Sequence, residues 1–328
     1  MKKAIQANYQ GTLICMLIAI ASFALAQHYQ APVMLFALLF GLVFHFLYES
    51  PKNQQGVEFC SRTILQIAVA LLGVRIAFSD IVALGLMAPV VVISAMVIIF
   101  IVGILLSKLL GLSKYFGVLS SGSVAICGVS AAAAILTVLP KDKVDERDFA
   151  LTVICITVFG TMAMIVYPMV AEFIGLDSNM TGVFLGGSIH DVAQVVGAGY
   201  SVSSEVGDVA TYIKLMRVAL LLPIVACIFL IFRTKAEKLE GGVSSFVPNF
   251  LIVFIALAVA NNLGVIPEAI VELSKQLSSW LLVIAIAAIG VKTSLKQIVS
   301  VGWKPIFLVA TESTLFAGMI VLGIFLFL

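Results

Sequence analysis

The segment GGSIHDVAQVVGAG, Gly186 to Gly199, sets a histidine beside an aspartate, follows them with a glutamine, and holds four glycines between two long apolar runs. Gly186 and Gly187 disfavour a continuous helix. Ser188 followed by Asp191 has the Ser-x-x-Asp form of a capping box, which predicts a helix starting at Ser188, part-way through an apolar stretch. The free amides of such a start carry about half a positive charge and suit an anion. On the helix that follows, His190, Asp191 and Gln194 share a face, and ionisable groups at membrane depth are costly enough to be functional by default. The rival reading is a capped helix start near the membrane interface, with Asp191 only satisfying amides.

A second polar island is SSGSVAICGVSAAAA, Ser120 to Ala134. Ser123, Cys127 and Ser130 recur at i, i+4 and i+7, which lines them along one helix face. Gly122 and Gly128 permit a break, and the four alanines permit close helix packing; a packing seam alone is the rival here. Both islands open with Gly-Ser and a β-branched residue, and paired glycine-interrupted membrane segments point to a transport site. The candidate substrate-binding set is Ser123, Cys127, Ser130, Gly187, Ser188, His190, Asp191, Gln194 and Arg217. The serines and Gln194 would act as hydrogen-bond donors, Arg217 would supply positive field, and Asp191 with His190 would couple protons or sodium.

Other residues carry less. Lys214 and Arg217, in TYIKLMRVALLLP, either neutralise an anion or snorkel to the interface. Arg75 and Lys292 read as snorkelling helix-end cations. Glu312 is a lone acid in the last apolar run, placed either to bind a proton or cation or to face a wet crevice. Asn261-Asn262 reads as a helix stop, while His28 and His45 read as interfacial or packing residues. Five cysteines form no CxxC pair, so neither a metal site nor a disulfide framework is expected. No GxxxxGK[ST] loop occurs, which argues against an ATP-driven pump. No cofactor is expected beyond a coupling H+ or Na+, and a membrane metalloenzyme would want more clustered histidines and acids than this chain has.

The elements that must position these residues follow from composition. Of 328 residues, 62% are hydrophobic and 11% charged, with a mean hydropathy of +1.19. Soluble domains are about 45–50% apolar and about 25% charged, so the excess faces lipid and the chain is an all-α polytopic membrane protein. A net charge of +2 gives no reason to expect nucleic acid. Taking about 20 apolar residues per span, about eleven membrane elements emerge, near 11–28, 32–48, 60–79, 87–108, 115–139, 149–171, 179–200, 209–232, 247–264, 277–293 and 303–328. The connectors are short, so residues 1–328 form a single integral membrane domain. Lys2, Lys3 and Ala24-Leu25-Ala26 have the look of a cleavable signal peptide; a first membrane helix is preferred, because apolar spans follow with no soluble domain to export. Lysine and arginine in the short loops place the N-terminus in the cytoplasm. The loop KDKVDERD, 141–148, resists that rule, and charge alone leaves open whether the fifth and seventh elements cross or are re-entrant.

There is also an internal echo. LLGVRIAFSDIVALG, Leu71 to Gly85, matches AIGVKTSLKQIVSVG, Ala288 to Gly302, at Gly-Val-Arg/Lys, at Ile-Val and at the final glycine, all at one offset. In the element count the two copies run in opposite directions, as in inverted-repeat transporters. Two apolar helices sharing glycine and valine by chance is the alternative.

Taken together, SGSVAICGVSAAAA, GTMAMIVYPMV, GVFLGGSIHDVAQVVGAG, YIKLMRVALLLP and AIAAIGVKTSL resemble the sulfate exporter family of bacterial inner-membrane proteins, the YeiH type. That family is grouped with the cation:proton antiporter and anion transporter superfamily. The resemblance covers nearly the whole chain. It implies an inverted-repeat fold with two crossing broken helices, a homodimer, and a small anion such as sulfate or a sulfonate as substrate. Glu312 departs from the family pattern, where an apolar or aromatic residue is expected. The function expected is therefore secondary active export of a small anion by alternating access, not enzymatic. An anion channel or a non-transporting membrane enzyme is the alternative.

Overall fold

The structure is a computed structural model that describes residues 2–29, 32–76, 79, 85–140, 143–144, 146–232, 249–294 and 302–328. The described residues are helical throughout, with no strand. Among the described residues, seven helices are long and apolar enough to cross a membrane: Asn8–Tyr29, Pro51–Arg75, Met87–Leu109, Arg147–Phe173, Ser204–Phe232, Glu268–Lys292 and Trp303–Phe327. Shorter apolar helices lie between them. Apolar side chains cover both the buried and the outward faces. Leu105, Phe173 and Leu230 are among many large ones left exposed by the protein itself, as expected where lipid replaces water as the solvent.

The chain divides into two compact units. The first comprises Met1–Ala83, Val196–Asp208 and Asn249–Ser294; the second comprises Leu84–Val195, Val209–Pro248 and Leu295–Leu328.

The first unit is built from α1 (Lys2–Tyr29), α2 (Val33–Val43), α3 (Pro51–Phe59) and α4 (Leu65–Leu71), with α13 (Asn249–Asn262) and α14 (Glu268–Lys292) from later in the chain. Pro51 opens α3 at a position where its missing N–H costs nothing. Helices α2 and α14 pack backbone to backbone: a Cβ on Gly41 would lie 2.7 Å from Gly290 Cα. His45 Nδ1 reaches the Val291 carbonyl at 2.8 Å, so this histidine has a partner that the sequence did not suggest. Arg75 does not snorkel. Its Nε lies 3.1 Å from Asp208 Oδ1 and its guanidinium stacks 5.0 Å from the Tyr200 ring centroid, while the Tyr200 hydroxyl donates to the same carboxylate.

The two copies of the internal echo share a local geometry. Gly73-Val74-Arg75 ends a helix in a 3-10 turn, and Ile76 turns extended at φ −79°, ψ 114°. Gly290-Val291-Lys292 ends α14, and Thr293 turns extended at φ −76°, ψ 119°. The continuations, 77–78 with 80–84 and 295–301, lie outside the described residues.

The second unit holds α5 (Met87–Leu109), α6 (Lys114–Ala125), α7 (Val129–Val138), α8 (Glu146–Phe173) and α9 (Ser178–Ser188). It also holds the start of α10 (Val192–Val202), most of α11 (Ser204–Ala219), α12 (Leu221–Phe232) and α15 (Trp303–Phe327). Helix α15 packs against α5, α6, α8 and α9. The stretches 115–139 and 179–200, each read above as one element, are both pairs of helices with an interruption between.

A candidate binding site where two helices are interrupted

The first interruption falls at Gly128, whose φ of +68° and ψ of −126° suit glycine alone. Gly122, the other position allowed to break, stays inside α6. Because the helix stops and restarts here, Ser123, Cys127 and Ser130 do not form the single face that an unbroken helix would give. Ser123 is buried and its hydroxyl donates to the Leu119 carbonyl one turn back. Cys127 is buried in the break, whereas Ser130 is exposed. Glycine at the N-cap leaves the opening amides of α7 without a side-chain cap.

The second interruption lies at Ile189-His190-Asp191. Here the structure corrects the helix start: Ser188 closes α9 rather than opening the next helix, and α10 begins at Val192. Asp191 is the capping residue, its Oδ1 accepting from the Ala193 amide at 2.9 Å. Ser188 donates back to the Phe184 carbonyl, which is the bond Ser123 makes before the other break. Gly187 lies buried between Val92 and Ile320. Gln194 is fixed across to α8, donating to the Thr157 carbonyl at 3.2 Å and to Thr161 Oγ1 at 3.3 Å. A Cβ on Gly160 would collide with that amide, so glycine there makes its room. His190 is wholly buried, with Nε2 2.8 Å from Ser313 Oγ and no hydrogen-bond partner for Nδ1.

What joins the two breaks is a pair of cations. Arg217 donates from Nη2 to Val124 O (2.8 Å) and from Nε to Ala125 O (2.9 Å) at the end of α6. From Nη1 it reaches Gly186 O (2.8 Å), Gly187 O (2.9 Å) and Ile189 O (2.9 Å) at the end of α9. Lys214 bonds Ile126 O at 2.8 Å, Ile189 O at 3.0 Å and the His190 carbonyl. Both side chains are fully buried. The last carbonyls of a helix have no partners within it and carry partial negative charge; two such ends meet here, and the two cations satisfy both. Neither cation snorkels. The helix starts at Ser204 and not at residue 209, which sets Lys214 about 15 Å along it.

Beyond the expected set, the site draws in Lys214, Thr157, Thr161 and Ser313. Lys214 was visible as a cation one turn from Arg217. The threonines and Ser313 carry no signal, since they belong to distant apolar helices. Among the described residues, no group of three or more His, Cys, Asp or Glu could hold a metal ion.

The sequence matches the family described as Conserved hypothetical protein 698 over residues 10–309. A UPF0324 membrane protein of Chlorobaculum tepidum is 48% identical over 318 residues, 96% of this chain and 88% of that relative. The UPF0324 membrane protein TauZ of Paracoccus denitrificans is 45% identical over 323 residues, 98% and 96% of the two chains. One from Rhizobium meliloti is 43% identical over 317 residues, covering 96% of this chain and 92% of its own. No solved structure matches. With seven helices able to span a bilayer and relatives that match almost end to end, this chain is a membrane protein and belongs to the UPF0324 family, Conserved hypothetical protein 698.

Proposed function

We propose that this protein is a secondary active transporter of a small anion such as sulfate or a sulfonate, working by alternating access and coupled to protons or sodium. The observation that carries the reading is the burial of Lys214 and Arg217 at the meeting of two interrupted helices. A charge inside a membrane protein is expensive and tends to mark a substrate or ion path. Lys214 feels one nearby carboxylate, that of Asp191. Two positive charges against one leave an excess, which an anion would neutralise. The uncapped amides that open α7 add to it, and interrupted helices at mid-membrane are the usual material of transporter sites. The resemblance to the sulfate exporter family, with its inverted-repeat fold, points the same way.

In this reading Ser188, His190, Gln194 and Cys127 line the path, and the two cations set its field while holding the helix ends. Purified protein in liposomes, given labelled sulfate or methanesulfonate, should show saturable uptake that depends on a pH or sodium gradient. Gln194→Ala should lower that uptake at least several-fold with little loss of folded protein. Flux that does not saturate and needs no second ion would identify a channel instead. No uptake of either anion, with no thermal stabilisation by them, would remove this anion class.

A further inference from the structure

Glu312 sits within the α15 span and is wholly buried. Its Oε1 accepts a hydrogen bond from Ser120 Oγ of α6 at 2.9 Å, and its Oε2 has no hydrogen-bond partner. From α5, Gly103 presses so close that a Cβ there would collide with Oε1. The neighbouring Ser121 hydroxyl is turned to the Gly117 carbonyl at 2.6 Å. From α8, the Cys155 thiol lies within electrostatic reach. Helix α9 brings no ionisable side chain, while Lys108 of α5 and Lys114 of α6 sit at their helix ends. Arg217 comes as near as the Phe316 ring, one turn further along α15 and 5.0 Å away, with its hydrogens on the carbonyls of the two breaks. Among the described residues, then, this carboxyl has one hydroxyl donor and no cation.

An ionised carboxylate so placed is costly, and the neutral acid needs only one added atom, a proton on the free oxygen. A metal cation would want several oxygens around it, and among the described residues no group of three or more His, Cys, Asp or Glu is placed to hold one. Placement adds the link to the site. Glu312 holds Ser120 of the first interrupted segment, and the next residue, Ser313, holds His190 of the second.

We propose that Glu312 is a proton-carrying site: Oε2 takes a proton from water in one conformation and returns it to water in another, and this is the ion coupled to transport. The coupling role rests on the transporter reading above; the proton site does not. Two measurements on wild type and Glu312→Gln separate them. Infrared difference spectra of purified protein between acid and alkaline buffers should show the carbonyl band of a protonated carboxyl in wild type, lost in Glu312→Gln. In liposomes holding a pH-reporting dye, a sulfate gradient should drive proton movement in wild type. In Glu312→Gln that movement should fall to background while sulfate counterflow continues. If Glu312→Gln does not accumulate, a shifted carbonyl band in Glu312→Asp decides the same question. A carboxylate band alone at every pH overturns the proposal. So does a band that answers to sodium at fixed pH, or proton movement in Glu312→Gln equal to wild type. If wild type moves no sulfate, the transport reading fails while the infrared result still decides the proton site.

Discussion

Helix ends inside the two units are closed by different chemistry. In the first unit, the end of the helix at Leu72–Arg75 is closed by neutral amides: Asn261 Nδ2 donates to Val74 O and Asn262 Nδ2 to Ile76 O, each at 2.8 Å. Its ion pairs, Arg75 with Asp208 and Lys292 with Glu58, set opposite charges against each other. In the second unit, the ends of α6 and α9 are closed by two full charges, and the buried acid Glu312 stands apart from both. An amide closes a helix end at little electrostatic cost. A cation does the same job only by carrying a charge into a place that resists it. Using cations where amides suffice argues that the second unit needs the charge itself, and the first does not.

The sharpest way to break that contrast is Arg217→Met. It takes a donor from five buried carbonyls, of which Ile189 O keeps another in Lys214, and should cost about 3–5 kcal/mol, a large share of a typical stability of about 5–15 kcal/mol. Folded protein recovered from membranes should fall steeply, and Arg217→Lys, which keeps the charge but loses the fork, should recover part of it. Asn261→Ala comes next, at about 1 kcal/mol for one neutral hydrogen bond, read as a small drop in thermal midpoint with sulfate uptake intact. If it proves as damaging as Arg217→Met, the two kinds of cap are equivalent and the contrast fails. The smallest effect belongs to Lys292→Ala. Its contact with Glu58 is 4.0 Å long and both side chains are more than a third exposed, so its thermal midpoint should match wild type within error.

The membrane class and the two interrupted segments were legible in the sequence because they rest on composition and on glycine placement, which act locally. The site's geometry was less so. Grouping Ser123, Cys127 and Ser130 assumed a constant helical period, and Gly128 cancels it. Ser188 had the right spacing for a capping box, but the box forms three residues on: Asp191 Oδ1 accepts from the Ala193 amide and Gln194 Oε1 accepts from the Asp191 amide. Lys214 and Arg217 stay between two roles while the element is started at residue 209, which sets both near its beginning; the helix starts at Ser204, and both side chains are buried within it. The pairing of Glu312 with Ser120 joins residues 192 apart, and no local pattern carries such a contact.

The staple at Arg217 also constrains how the protein is made. Synthesis runs from the N-terminus, so Val124, Ala125, Gly186, Gly187 and Ile189 all leave the ribosome before the side chain that binds their carbonyls. Both interrupted segments are therefore born incomplete. Neither can be closed in this way until α11 has been made.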